Sequence, residues 1–541
     1  MCTAACCGFN SCSSPSNPSP QSATLQTPGN PYLPLWEHIP DGEPYVFEDP
    51  DQPGKLRVYI YGSHDSMIDN YCGREQVVWS ASIDSLTQWR YDGEIFCVDK
   101  NANGELLDPE GLADVLYAPD VTLVVAPNGE KTYYLYPNNQ AWGRNGMVCK
   151  SNRPDGPFEV CNWSKEDPNK SDGVLQFDPA VFVDDDGRIY GYWGFERSFA
   201  AELDPATMAT VKPGTEVVED MIPSYKQPGD FRFFEASSIR KVKDKYIFIY
   251  SRFTKDGEFG LPISNYTLAY AYGDRPLGPF TYGGTIIDGR ARGTNELGDT
   301  IATACVSGNT HGSICEINGQ WYVFYHRQTG LNEFARQAMV APIEVNVEEG
   351  PGGKVEISEG EYTSEGFSLN GLDPLERHSA GIACWCTGPK TAEHNWPNNT
   401  FYGSYIAASY GNDDKMVNPY ALPSNSNPVV NNTDGSIVGY KYFNFTATQG
   451  RRLELHLNLV PEGLDGTISV MADSPWPSHG GVLLGELQLK ADMPQQATEL
   501  VISLPELSKM TGKHAIFFTF LSETKEKSLC TLEDFVFQLS K

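Results

Sequence analysis

One hairpin pattern occurs five times between about residues 30 and 347, and this repeat constrains the fold more than any other feature. Each copy has an apolar strand, a turn with Gly, Asp or Asn, and a second strand rich in aromatic residues. The five strand pairs are Pro44–Phe47 and Arg57–Tyr61, Val121–Val125 and Thr132–Tyr136, Ala180–Val183 and Arg188–Trp193, Ser237–Val242 and Lys245–Tyr250, and Ser313–Ile317 and Gln320–Tyr325.

The spacing of the hairpins predicts a five-bladed β-propeller over residues 29–347. The aromatic strands are centred near residues 59, 134, 190, 247 and 323, an interval that suits one four-stranded blade with its loops. Ser151–Phe158 also resembles Gly273–Phe280, two blades later. A β-sandwich with as many strands is the alternative, but five copies of one unit favour radial closure. No long amphipathic helix pattern interrupts them, which argues against an α/β barrel.

The rest of the chain lacks the repeat. Residues 1–28, rich in Ser, Pro, Asn and Cys, predict a poorly ordered tail, and residues 348–375 predict a closing strand and linker. Seven short alternating strands in residues 376–541 predict a jelly-roll-like β-sandwich. The predicted fold class is therefore all-β, with a five-bladed propeller followed by a sandwich.

Charge and cysteine usage narrow the possible partners and compartments. Forty Lys and Arg against 70 Asp and Glu give a net charge of −30, which disfavours nucleic acid and anionic membranes as partners. No apolar stretch is long enough for a transmembrane helix. The 13 cysteines are odd in number and scattered along the chain, which favours reduced thiols. The N-terminus lacks the pattern of a signal peptide. We expect a cytoplasmic protein, or a secreted one if a leader has been removed.

An ionisable residue stands near the start of every hairpin. These residues are Asp41, Asp120, Asp178, Glu235 and His311. Because the first strand of each blade lines the propeller axis, their side chains are expected to converge on one face. Carboxylates brought together repel one another, so one of them takes a raised pKa and acts as an acid beside an ionised base. A single Asp before a strand is a common turn residue, but five in phase with the repeat favour catalysis.

The ends of the second strands return to the same face and hold aromatic, amide and charged residues. Sugars bind to such mixtures, because they need an apolar surface to stack on and polar groups for their hydroxyls. We predict substrate-binding roles for Trp142, His64, Arg327 and Asp178. The alternative for each is a packed structural side chain.

The ordered set of motifs resembles glycoside hydrolase family 43 over about residues 29–347. The matching segments are Ile39–Pro44, Tyr117–Val121, Glu235 after two Phe, Asn309–Gly312 and Tyr325–Arg327. The resemblance implies a five-bladed propeller that hydrolyses glycosides with inversion. It implies Asp41 as general base, Glu235 as general acid, and Asp120 as the carboxylate that tunes and orients the acid.

The resemblance also implies a metal and a second binding domain. His311 matches a histidine that helps to hold a hydrated calcium ion near the propeller centre, and no organic cofactor is expected. The C-terminal sandwich is similar to the carbohydrate-binding modules attached to members of this family.

The substrates that the resemblance implies are arabinose- or xylose-containing oligosaccharides and polysaccharides of plant cell walls. We expect an α-L-arabinofuranosidase, with a β-D-xylosidase as the close alternative. Rivals from other classes are a non-catalytic sugar-binding propeller, a retaining propeller enzyme acting on fructosides, and a protein-interaction propeller.

Overall fold

The computed structural model describes residues 24–67, 70–107, 114–408 and 427–540. Nearly all regular structure in these ranges is β. The propeller strands are β1 Thr24–Gln26, β2 Glu43–Glu48, β3 Leu56–Tyr61, β4 Glu75–Ser82, β5 Gln88–Cys97, β6 Asp120–Val125, β7 Lys131–Tyr136, β8 Cys149–Ser151, β9 Glu159–Val160, β10 Ala180–Val183, β11 Ile189–Trp193, β12 Phe199–Leu203, β13 Val218–Glu219, β14 Phe233–Val242, β15 Lys245–Arg252, β16 Thr267–Gly273, β17 Thr281–Asp288, β18 Arg292–Thr294, β19 Thr300–Ala302, β20 Ser313–Ile317, β21 Gln320–Gln328 and β22 Arg336–Ile343.

The remaining strands follow the propeller. They are β23 Val345–Val347, β24 Val355–Ile357, β25 His378–Ser379, β26 Trp385–Thr387, β27 Glu393–Asn395, β28 Asn398–Thr400, β29 Tyr405–Ile406, β30 Val429–Val430, β31 Ile437–Asn444, β32 Leu453–Pro461, β33 Gly466–Ala472, β34 Val482–Leu489, β35 Thr498–Leu504, β36 Lys513–Leu521 and β37 Cys530–Leu539. Short 3₁₀ helices lie at Glu258–Gly260, Ala380–Ile382, Thr446–Thr448, Pro477–His479 and Pro505–Lys509. None of the helices in the described ranges has the length and apolar character needed to span a membrane.

Five antiparallel sheets contain the five predicted hairpins. Their strand orders are β1-β5-β4-β3-β2, β6-β7-β8-β9, β10-β11-β12-β13, β14-β15-β16-β17 and β20-β21-β22. Each predicted strand pair forms the first two strands of one blade, so the propeller prediction is confirmed. The first blade gains β1 as an outer strand, and the fifth blade has three strands.

Five hydrophobic clusters, one between each pair of neighbouring blades, close the ring. They contain Phe47 with Tyr133, Tyr136 with Trp193, Tyr192 with Phe248, Tyr270 with Val323, and Ile60 with Phe324. The second strand of a blade is covered by a neighbouring blade on each face, which explains its aromatic residues: large rings fill the wedge between two sheets. Every residue of β15 is buried for this reason.

After the propeller, two antiparallel sheets share one hydrophobic core, and we call this part of the chain the sandwich, after its predicted fold. One contains β29-β30-β37-β32-β35 with β25 paired to β37, and the other contains β26-β31-β36-β33-β34. In β32, buried leucines alternate with partly exposed residues, as expected for a strand with one face on a core. The seven predicted strands are present as β31 to β37.

The sandwich packs against the propeller through specific contacts. A side chain at Gly293 would overlap the Trp385 ring, so this glycine permits close approach of the two parts. The indole N–H of Trp476 donates to the carbonyl of Thr294 at 3.1 Å.

The end of the predicted N-terminal tail belongs to the first blade. The predicted tail reached residue 28, whereas Thr24–Gln26 form β1, which pairs with β5; residues 1–23 lie outside the described residues. Within the predicted linker, β24 pairs with β23. The limits at residues 347 and 376 stay predictions.

Candidate active site

Asp41 is a buried carboxylate that the structure holds in its ionised form. Its side chain lies two residues before β2, and Arg336 Nη1 is 3.2 Å from each of its oxygens. The Ser63 hydroxyl donates to Oδ2. Burial alone would raise the pKa of Asp41, but the charge of Arg336, together with smaller effects of His326, His311 and the Ser63 hydroxyl, outweighs burial and the pKa is lowered.

His326 fixes the backbone of Asp41 as a neutral ring. The Asp41 N–H donates to His326 Nδ1 at 3.2 Å, and His326 Nε2 lies 2.9 Å from the carbonyl of Asn309. A carbonyl can only accept, so Nε2 carries the proton and Nδ1 accepts. Burial lowers the pKa of His326 to about 3, which agrees with this tautomer.

Glu235 has the opposite protonation state. It lies in β14 and is buried, and no hydrogen bond or ion pair from a described side chain engages its carboxyl group. Burial, followed by the negative charges of Asp178 and Asp41, raises its pKa well above the usual range. Glu235 is therefore a neutral acid close to the ionised Asp41.

Asp178 is the carboxylate that acts most strongly on Glu235. Its Oδ2 accepts the backbone N–H of Ala236, the residue after Glu235, at 3.0 Å, and its Oδ1 accepts from the Asn138 amide at 2.9 Å. Burial raises the pKa of Asp178 to about 6. The sequence analysis assigned Asp178 to substrate binding, whereas the structure joins it to the acid.

The prediction that Asp120 tunes the acid is wrong. Asp120 accepts the Tyr45 hydroxyl and the Val181 N–H, both at 2.6 Å, and the charge that raises its pKa most is that of Glu43. Burial and that charge raise the pKa of Asp120 to about 7. Its two hydrogen bonds join it to the blades on either side, whereas the charges that act on Glu235 are those of Asp178, Asp41 and Arg336.

His311 lies two residues before β20, between Asp178 and Glu43. Its Nδ1 is 3.7 Å from Asp178 Oδ2, and its Nε2 is 3.9 Å from Glu43 Oε1. Both Nε2 and Oε1 are buried without a hydrogen-bond partner among the described residues. Calcium takes oxygen ligands, so Glu43 Oε1 could bind it directly and His311 would contact it through a water. Since the described chain contains no cluster of three or more ligating side chains, water would supply the other ligands.

His64 is a buried structural cation, and its predicted sugar-binding role is wrong. Its Nε2 is 3.2 Å from Glu37 and its Nδ1 is 3.1 Å from Glu75, so both ring nitrogens are occupied. Burial disfavours the charged ring, but the hydrogen bonds with Glu37 and Glu75 raise its pKa to about 10.

Arg327 is also structural, which corrects a second prediction. It is 1% exposed. Its guanidinium group donates to the Gln337 side chain at 2.9 Å and to the Ala383 carbonyl at 2.8 Å, and also to the Gly381 carbonyl. Arg327 thus joins the fifth blade to the segment that enters the sandwich.

Trp142 remains available for binding. It lies on the loop that follows β7, the loop that also holds Asn138 against Asp178. Its side chain is 81% exposed, with Lys170 Nζ 4.7 Å from the ring centroid. Its substrate-binding role stays a prediction.

Five aromatic rings, which we call the aromatic shelf, lie next to Asp178 and Glu235, and the sequence did not predict them as a group. Ring centroids are 5.2 Å apart for Phe177 and Phe195, 5.2 Å for Phe195 and Phe234, 4.8 Å for Phe234 and Phe253, and 4.4 Å for Phe253 and Tyr225. Phe177 precedes Asp178, and Phe234 precedes Glu235. All five rings are at least partly exposed, so the shelf offers apolar surface beside the acid.

Arg336 is the most important residue that the sequence analysis missed. Besides Asp41, it binds Asp65 through two nitrogens, at 2.8 and 2.9 Å. It is the first residue of β22, the third strand of its blade. The third strand of a blade begins on the face where the second strand ends. The first residue of each third strand is therefore a candidate site residue, and this rule would have identified Arg336.

Replacing Asp178 tests the origin of the acid's protonation. We expect D178N to lower the pKa of Glu235 by about one unit, because a buried negative charge beside Glu235 is removed. D120N, the matched control, is expected to leave it unchanged. Carbon-13 NMR titration of the Glu235 carboxyl, assigned with E235Q, measures both. Equal shifts in the two variants would contradict the assignment.

Replacing Arg327 tests its structural role. R327M leaves the carbonyls of Gly381 and Ala383 without their donor, which is expected to destabilise the fold by about 3 kcal/mol. R451M, at an exposed arginine, is the control. Thermal and urea unfolding measure the difference, and equal stability of the two variants would refute the role.

Comparisons with known proteins identify the family of this chain. The sequence profile of "Glycosyl hydrolases family 43" matches residues 57–351. A "Xylosidase/arabinosidase" of Thermoclostridium stercorarium is 31% identical, covering 93% of this chain and 98% of its own. "Xylosidase/arabinosidase 43A" of Humicola insolens is 30% identical over 50% of this chain and 84% of its own.

Solved structures of family 43 enzymes are similar to this chain. A family 43 arabinoxylan arabinofuranohydrolase from Bacillus subtilis, crystallised with cellotetraose, is 22% identical with a TM-score of 0.44, covering 94% of this chain and 97% of that chain. The profile match spans more than half of the chain, and the Thermoclostridium stercorarium relative aligns over nearly all of it. This chain belongs to glycosyl hydrolase family 43.

Proposed function

We propose that this family 43 glycosidase is an inverting α-L-arabinofuranosidase that removes arabinose from arabinoxylan and its oligosaccharides. The observation that carries the proposal is a pair of buried, electrostatically interacting carboxyls with opposite protonation. The pKa of Asp41 is lowered and that of Glu235 is raised well above its usual range. Hydrolysis of a glycosidic bond needs one base and one acid in these states at the same pH.

Each group has a defined task in the proposed reaction. Glu235 donates its proton to the glycosidic oxygen, so that the leaving group departs as an alcohol. Asp41 accepts a proton from a water that attacks the anomeric carbon from the opposite face. Asp178 keeps Glu235 protonated before the reaction, and the surrounding negative charge stabilises the positive charge that develops on the sugar ring.

The aromatic shelf favours a carbohydrate leaving group. Phe177 directly precedes Asp178, Phe234 directly precedes Glu235, and the Phe195 ring contacts both phenylalanines. The sugar that leaves must lie next to the acid, and its apolar face can stack on these rings. A hydrated calcium ion, if bound by His311 and Glu43, would add positive charge at the propeller axis.

The names of relatives support this choice of sugar and one alternative. Relatives from Paenibacillus polymyxa and Bacillus subtilis are named "Arabinoxylan arabinofuranohydrolase". Another relative, from Xylanibacter ruminicola, is named "Beta-xylosidase". A β-D-xylosidase is therefore the second candidate, and a non-catalytic sugar-binding propeller is the rival from another class.

Replacing the acid distinguishes an enzyme from a binding protein. E235Q is expected to lower kcat on arabinoxylan about a thousandfold, because proton donation is lost, while binding is retained. E216Q, at an exposed glutamate, is the matched control and should keep full activity. Release of reducing sugar measures both, and full activity in E235Q would rule out the proposed acid.

The product anomer and the sugar are tested together. Nitrophenyl α-L-arabinofuranoside is expected to be cleaved faster than nitrophenyl β-D-xyloside. Proton NMR should show β-L-arabinofuranose as the first product, because water attacks opposite the leaving group. Initial release of the α-anomer would contradict inversion, and faster cleavage of the xyloside would select the alternative candidate.

A further inference from the structure

A hairpin from the sandwich side of the chain lies against the fifth propeller blade. Its strands β27 and β28 flank a two-residue turn, Trp396–Pro397, and the loop it meets joins β21 to β22. The N–H of Glu333 donates to the Pro397 carbonyl at 3.1 Å, and the N–H of Asn399 donates to the Leu331 carbonyl at 2.9 Å. The hairpin therefore pairs with the loop through its backbone.

A contact between His394 and the buried Glu333 fixes the hairpin in place. His394 Nε2 lies 3.1 Å from Glu333 Oε1, and Glu333 is 2% exposed. The other ring nitrogen of His394 is 2.9 Å from Asn399 Oδ1, which joins the two strands of the hairpin. With side-chain and backbone contacts to one short loop, the hairpin has a defined position.

The loop between β21 and β22 lies on the same face of the propeller as the catalytic groups. Arg336, three residues after Glu333, is the ion partner of Asp41. The Tyr71 hydroxyl donates to Glu333, and the Tyr71 ring centroid is 5.0 Å from the guanidinium carbon of Arg336. The hairpin is thus joined to the proposed base through Glu333, Tyr71 and Arg336.

The turn of this hairpin exposes a large aromatic ring. Trp396 is 70% exposed, and Leu331 beside it on the loop is 51% exposed. A rigid, flat indole on a fixed turn can stack on a sugar ring with little loss of conformational freedom. An exposed apolar residue far from a site, such as Leu521 at the end of β36, lacks such a setting although it is 64% exposed.

We propose that Trp396 is a sugar-binding platform outside the catalytic pocket, supplied by the sandwich side of the chain, on which the xylan main chain rests. This inference depends on the proposed arabinoxylan-cleaving function. The main chain of a branched xylan extends beyond the cavity that holds one side sugar. A platform on the rim contacts the polymer and is out of reach of a nitrophenyl glycoside. Trp396 therefore raises affinity for the polymer in particular.

Binding without turnover tests the platform directly. In the full chain carrying E235Q, adding W396A is expected to weaken the Kd for arabinoxylan about tenfold, as measured by isothermal titration calorimetry. Adding W396F should restore most of the affinity, because a flat ring is kept. Adding L521A is the matched control and should leave the Kd unchanged. Equal affinity in the W396A and control proteins, or no binding by E235Q alone, would overturn the platform.

Kinetics separate this inference from the proposed function. In the otherwise natural chain, W396A is expected to lower the ratio of kcat/KM for arabinoxylan to kcat/KM for the nitrophenyl glycoside about tenfold, mainly through KM. A ratio unchanged by W396A, with the natural chain active on both substrates, refutes the platform and leaves the function intact. If the natural chain cleaves neither substrate, the proposed function fails, and the calorimetric result still decides whether Trp396 binds the polymer.

Discussion

Closure of the propeller ring is the constraint on which the candidate site depends. Five hydrophobic clusters, each shared by two neighbouring blades, hold the inner strands around one axis. No single blade contains the base, its counter-ion and the acid together: Asp41 and its ion partner Arg336 are 295 residues apart in the chain. Packing between blades therefore brings the base, its counter-ion and the acid close together, and the aromatic second strands supply that packing.

One buried cation contributes strongly to the difference between similar carboxyls. Arg336 binds Asp41 and Asp65 directly, whereas the charges that act most strongly on the pKa of Glu235 are those of Asp178 and Asp41. In a medium of low polarisability these interactions are stronger than in water. Asp41 therefore loses its proton readily and Glu235 keeps its own. The chemistry follows from where the arginine lies, more than from any property of the carboxyl groups themselves.

The sequence predicted the fold well because its signals are local. Alternating apolar residues, a Gly or Asn turn and an aromatic strand define each hairpin within about twenty residues. The site was harder because it depends on side-chain direction. Asp41 and Asp178 both stand two residues before their strands, whereas Asp120 is the first residue of β6, as Glu43 is of β2. This difference in register explains why Asp178, and not Asp120, faces the acid.

The other errors have a related cause. The end of a second strand places His64 and Arg327 on the correct face, but pattern alone does not indicate which way each side chain points. The partners of these residues are Glu37 and Glu75 for His64 and the Gly381 and Ala383 carbonyls for Arg327, and all of them lie outside the strands that end near His64 and Arg327. Likewise, no local pattern predicts that a hairpin near residue 396 lies beside the fifth blade.

The most direct test of the central claim is how the rate depends on the leaving group. For a series of aryl glycosides, log kcat/KM can be plotted against the pKa of the departing phenol for the natural chain and for E235A. If Glu235 protonates the leaving oxygen, the natural chain should give a shallow slope. E235A should give a steep negative slope, with activated phenols cleaved at nearly the natural rate. Equal slopes in the two proteins would contradict the role of Glu235 as the acid.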